Sequence, residues 1–300
     1  MIQTLKNAFK TKEVRDKILM TLLLIAIYRL GSFIPVPGID TSVTQSAFNG
    51  QNFLGILNAI TGGALANGTL FAIGISPYIN ASIIVQLLTV AVPSLERLSR
   101  QGDEGRKKLT KITRYFTVVL AAIQAVGILF AFSNQGVLNA DLISVEYTMP
   151  TWVLFIFVSL ILVSGSCLCM WIGERITEYG VSNGMSLLIF VGILATAGTS
   201  ILSAFQSVID SGFSSGGWEL LGFFVMAIII FAFLVLVDKA ERKITVQYAK
   251  QIKGNKMYGG QNTTIPIRVN GSGVLPLIFA FAITSFPEML FNTFWAGPLF

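Results

Sequence analysis

Apolar residues fall along this chain in long blocks separated by polar stretches. Seven blocks reach the roughly 20 apolar residues needed to cross a hydrocarbon core: Ile18–Val36, Leu70–Val92, Tyr115–Phe132, Thr151–Ile172, Gly184–Ile201, Leu220–Val237 and Gly273–Phe291. Helices satisfy their own backbone groups in lipid, so the pattern predicts an all-α polytopic bundle. A membrane barrel would show short alternating segments instead, and none runs through these blocks.

The polar stretches carry the orientation. Apart from Arg29, inside the first block, every Lys and Arg falls before the first span or in alternate loops, at 93–114, at Arg175 and at 238–272. The loops 37–69, 133–150 and 202–219 and the tail 292–300 have none. By the positive-inside rule the N-terminus is cytoplasmic. The net charge of +6 thus reflects topology first. The first block is too long for a cleaved signal peptide and runs into Pro35-Val36-Pro37-Gly38 with no small-residue cleavage motif.

Within this frame several segments stand out. Residues 1–17 read either as a basic amphipathic segment on the inner surface, with Ile2, Leu5 and Phe9 on one face, or as a solvated leader. In the first outer loop, Phe53–Ala64 is apolar but too short to span, and Gly62-Gly63 marks its end as a helix. Its apolar face has to be buried at the lipid interface or in a cavity among the spans. The second block carries Gly74, Pro77, Asn80 and Gln86, and the seventh Gly273, Pro276 and Pro287. Such interruptions suit helix packing or a lined pathway. Arg29 lies near enough to the outer end of its span for its stem to reach the interface, and Glu288 sits near the outer end of the seventh.

The two long inner loops are strongly basic. Gly102-Asp103-Glu104-Gly105 precedes the run Arg106-Lys107-Lys108, and 238–248 reads as a strand-forming stretch followed by turn glycines. Retention needs only a few such charges, so the loops also suit an anionic partner such as RNA or an acidic protein face.

Composition narrows the chemistry. Hydrophobic residues make up 53% and charged residues 12%, against roughly 25% charged in soluble domains. The two cysteines, Cys167 and Cys169, lie within the fourth block as buried thiols, and there is no histidine. No metal, cofactor or catalytic constellation is expected, which counts against an intramembrane enzyme.

Three stretches are similar to the bacterial SecY family, pore subunits of the general protein-translocation channel. They are Tyr28-Arg29-Leu30-Gly31 with Ile34–Ile39, Leu70–Leu88, and Trp171–Gly180 running into Asn183-Gly184-Met185-Ser186-Leu187. The resemblance implies a channel fold of inverted repeats, here seven spans of the family's ten, lacking the C-terminal third and leaving Phe300 outside. It divides the chain into the cytoplasmic segment 1–17, an N-terminal half at 18–201, and the start of a C-terminal half at 202–300. It implies an apolar pore ring at Ile75, Ile79, Met185, Ile189 and Ile278, methionine standing where isoleucine is usual. A plug near 53–64 would rest Ile56, Leu57 and Ile60 beneath that ring. The inner loops would dock a ribosome or the motor ATPase SecA through Arg106, Lys107, Lys108, Arg242 and Lys243, the last two at a loop tip. The other implied partners are SecE, SecG, secretory and membrane-protein precursors and the phospholipids of a bacterial plasma membrane. The rival reading is a secondary transporter, for which Asn80 with Gln86 is the nearest approach to a polar midplane site.

Overall fold

The computed structural model describes residues 10–41, 44, 58–134, 150–211, 213–247, 251–253, 256–258, 262–271 and 280. Seven helices are resolved among them: α1 (Lys12–Gly31), α2 (Ser76–Ala91), α3 (Pro93–Ser99), α4 (Asp103–Asn134), α5 (Thr151–Tyr179), α6 (Gly184–Ser211) and α7 (Phe213–Lys239). Four of these, α4 to α7, are long and apolar enough to cross a membrane. The pair α2 and α3, bent by 106° at Val92, makes a fifth candidate if it is one broken span. The first predicted span is helical only to Gly31, and of the seventh predicted span only Ala280 is described.

The chain divides into two compact units at Ile201. In the first, α5 serves two apolar cores. Its N-terminal half, Leu154, Val158 and Leu162, packs with Ala125, Ile128, Leu129 and Phe132 of α4 and with Val36, Ile39 and Leu65. Its C-terminal half, Cys169, Ile172 and Ile176, packs with Leu24 and Tyr28 of α1, Phe71, Ile75 and Leu188 of α6. Tyr28 stacks on Phe71 with ring centroids 5.5 Å apart. Between helices in lipid the drive comes from such close packing, since lipid tails are as apolar as leucine.

The second predicted span is shorter as a helix than its hydropathy suggests. Residues Leu70–Ile75 are turns, and α2 starts only at Ser76, with Pro77 in its first turn. Non-helical backbone persists at this depth only where protein surrounds it, and here Phe71, Ala72, Ile73 and Ile75 are all buried. Leu70 N–H donates to Ile34 O at 2.9 Å, Val36 N–H to Gly68 O at 2.9 Å, and the buried Ser166 hydroxyl of α5 to Gly74 O at 3.1 Å. Gly74 takes φ of +59°, a conformation that glycine adopts readily. Beside Ser166, a Cβ on Gly165 would overlap the carbonyl of Leu70, so this helix accepts the unwound segment only through a glycine.

The inner loop 93–114 is also more ordered than a loop. After the tight turn at Gly102, φ +71°, the cationic run lies on the first turns of α4, continuous with the third span. In the second unit, α7 leads directly into an antiparallel ribbon. There β1 (Glu241–Gln247) pairs with β4 (Asn262–Arg268), and within that loop β2 (Gln251–Lys253) pairs with β3 (Lys256–Tyr258). Ile244 faces Ile265 and Thr245 faces Thr264, cross-strand pairs of the kind that stabilise a ribbon. Pro266, opposite Lys243, lacks an N–H but sits in an edge strand, where that donor is dispensable.

Candidate functional site

Three of the five predicted ring residues converge. Ile75 caps α2 and is 5% exposed, and Ile79 follows one turn later, its N–H donating to Ile75 O at 3.1 Å. Ile79 and Met185 are half-buried against the same apolar cluster as Ile75. Met185 lies over Gly173 of α5, where an added Cβ would meet its Cε at 2.9 Å. Ile189, one turn further along α6, is half-buried outside that cluster. Ile278 lies outside the described residues.

The predicted short outer helix ends as its sequence suggests. Asn58–Ile60 are helical, Gly63 N–H donates to Asn58 O at 2.9 Å and Gly62 N–H to Ala59 O at 3.3 Å. With Gly62 at φ +72° this is a Schellman stop. Ile60 is half-buried on the last turn, while Ile56 and Leu57 lie outside the described residues. The Arg29 guanidinium lies beside this turn, Nη1 2.9 Å from where a Gly62 Cβ would stand.

On the first turns of α4, Arg106, Lys107 and Lys108 are all exposed. Helical spacing aligns Arg106 and Lys107 with Asp103, Thr110, Lys111 and Arg114, which together line an open cleft of about 450 Å³. Sequence reasoning left out Lys111 and Arg114, although their spacing from Lys107 was the signal. Arg114 Nε also donates to Glu174 Oε1 at 2.8 Å, tying the N-terminal part of α4 to the C-terminal part of α5. Arg175 pairs with Glu178 at 2.8 Å and lies 5.6 Å from the ring centres of Trp171 and Tyr179, which suits a membrane interface.

The ribbon corrects the placement of Arg242 and Lys243. They pair with Ile267 and Pro266 immediately after α7, at the ribbon's root; the chain reverses far from them, between Lys253 and Lys256. A span that continues straight into a strand leaves no room for a tip there. Adjacent strand residues also point to opposite faces, so Arg242 shares its face with the exposed Ile244, Ile265 and Ile267, and Lys243 does not.

Comparison with known proteins decides the family. The SecY family model matches residues 69–299. Protein translocase subunit SecY of Streptomyces scabiei is 40% identical over 297 residues, covering 97% of this chain and 67% of that protein. The chain belongs to the SecY family. SecY of Staphylococcus carnosus is 39% identical over 295 residues, covering 97% of this chain and 66% of its own length. Among solved structures, a protein-conducting channel superposes with a TM-score of 0.66 at 20% identity, covering 94% of this chain and 59% of the channel. A SecY structure in which the plug domain stabilises the closed translocation channel and maintains a membrane seal gives 0.60 at 21% identity. The fold is therefore that of the SecY channels, and this chain spans about three fifths of those solved chains and two thirds of the SecY relatives.

Proposed function

We propose that this chain belongs to the central pore subunit of a Sec translocon, a passive protein-conducting channel for secretory and membrane proteins. The observation that carries the reading is the match to protein translocase subunits along 97% of the chain. The geometry supports it. Ile75, Ile79 and Met185 gather at one apolar cluster, and an apolar constriction resists ions by dewetting yet yields to a passing chain. With Ile189 and Ile278 these residues would form the ring, and Ile56, Leu57 and Ile60 the plug beneath it.

The subunit would sit in a bacterial plasma membrane with its N-terminus cytoplasmic, beside SecE and SecG, releasing apolar segments sideways into lipid. The exposed cations on α4 and at the ribbon's root would receive SecA or the ribosome, which supply the drive. No catalytic residue or cofactor is assigned. In the full-length protein, cysteines replacing Ile79 and Ile278 should each cross-link to a stalled secretory precursor. No adduct at either position, or substrate uptake into liposomes lacking any motor, would overturn the reading in favour of a transporter.

A further inference from the structure

The joint between α5 and α6 is made of backbone pressed against backbone. Gly173 and Gly184 are both buried, and a Cβ on Gly184 would overlap the carbonyl of Gly173. The place that a Gly173 Cβ would take is filled by Met185, whose Cε lies 2.9 Å from it. A side chain at either glycine would therefore push the two helices apart. Hydrogen bonds complete the joint. The Thr177 hydroxyl donates to Gly173 O at 2.9 Å and accepts the Gly184 N–H at 2.8 Å, so one oxygen ties α5 to the first residue of α6. Asn183 caps α6, its Oδ1 accepting the Met185 N–H at 3.1 Å. Thr177 and Asn183 thus each satisfy an N–H that a helix start leaves without an internal partner. The link itself, Val181 to Asn183, is exposed, so the hold comes from the glycines and Thr177 and not from burial of the link.

We infer that Thr177 is a positioning residue which, with Gly173 and Gly184, sets the depth and rotation of α6 against α5 and so places Met185 and Ile189. Met185 directly follows the amide that Thr177 holds, so a displacement there has almost no chain over which to relax. Its side chain leans on Gly173 and on the cluster that also receives Ile79. The rest of the contact between the two helices here is apolar: Leu188, fully buried, packs with Ile172 and Ile176. Apolar burial is non-directional and allows one helix to slide or turn on another, whereas the bonds at Thr177 fix one register. Methionine adapts to whatever gap it is offered, so the position of Met185 follows its backbone. The chemistry needs a hydroxyl, which donates and accepts at once. Serine can do both, and valine, with the shape of threonine, can do neither.

The positioning role rests on reading Met185 and Ile189 as part of an apolar ring in a protein-conducting pore, and the two can fail separately. The full-length protein with its partner subunits is reconstituted in proteoliposomes, and resting iodide influx is read by quenching of an enclosed dye. Thr177→Val should raise the leak severalfold, and Thr177→Ser should keep it near the parent value. In a protein with its native cysteines replaced, a stalled precursor is also cross-linked from Ile189→Cys or from Phe190→Cys, which stands about 100° further round α6. Thr177→Val should lower the ratio of the first adduct to the second severalfold, whereas a simple loss of stability would reduce both alike. A Thr177→Val leak equal to the parent's, a leak raised as much by Thr177→Ser, or an unchanged adduct ratio would overturn the positioning role. If the parent passes no precursor while the leak separates valine from serine, the positioning role stands and the protein-conducting reading falls.

Discussion

Ser166 is the residue on which the irregular start of the second span depends. Its hydroxyl, almost fully buried, meets the carbonyl of Gly74 92 residues away. Replacing it with alanine leaves that acceptor without this donor at membrane depth, so Ser166→Ala should destabilise the protein by about 1–3 kcal/mol. Thermal unfolding of the purified protein in detergent would read this as a lower midpoint. Gly165→Ala should be at least as damaging, because its new methyl meets the backbone carbonyl of Leu70, which has no rotamer to escape into. Neither role was legible in the sequence. A serine and a glycine in a fourth span look like ordinary small packing residues, and their partner lies on another element. The partner of Arg29 was hidden in the same way: its distance from the span end placed its stem, but not the guanidinium beside Gly62.

Elements were more readable than residues, because hydropathy and turn chemistry are local. Helices in the first six apolar blocks, the Gly62-Gly63 stop and the strand-forming stretch after α7 are present among the described residues, and the seventh block lies outside them apart from Ala280. Hydropathy failed where apolar residues are not helical. Leu70–Ile75 is as apolar as the helix that follows, and burial in protein, invisible to a hydropathy scan, is what permits its turns. Pairing register was likewise illegible, so Arg242 and Lys243 were assigned to a tip when they stand at a root. That register separates two residues that sequence treated as one charge patch. Arg242 lies among exposed apolar neighbours and Lys243 on the other face, so docking through a mixed apolar and cationic surface should depend on the first. Arg242→Glu should therefore weaken binding of the cytosolic partner and slow precursor export more than Lys243→Glu, with membrane insertion of the protein unchanged. The measurement is partner affinity to inverted vesicles at two salt concentrations, since an exposed contact of this kind is screened by ions. Equal effects from the two substitutions would mean that net charge, and not the ribbon's face, sets docking.

Over the whole molecule, one-sided charge and the length of α4 together fix which groups can share a compartment. At 1.5 Å per residue, the 32 residues of α4 extend about 48 Å, well beyond a hydrocarbon core of ~30 Å. Its two ends must then emerge on opposite faces unless the helix lies flat. Lying flat is disfavoured, because its apolar stretch from Tyr115 onward packs against α5, itself a long apolar helix with few charges. The end at Asp103 adjoins Arg106, Lys107, Lys108, Lys111 and Arg114, while the end at Asn134 leads into a stretch with no Lys or Arg up to Thr151. Positive charge is retained on the cytoplasmic side, so Gln101 should be inside and Ser133 outside. Both are exposed and so open to a reagent on their own side. In a protein carrying Cys167→Ala and Cys169→Ala, a membrane-impermeant maleimide added to intact cells should label Ser133→Cys and spare Gln101→Cys. Permeabilised cells should show both labelled. The opposite pattern would invert the bundle and move every basic surface away from the proposed cytosolic partners, so the proposed docking depends on this result before any affinity is measured.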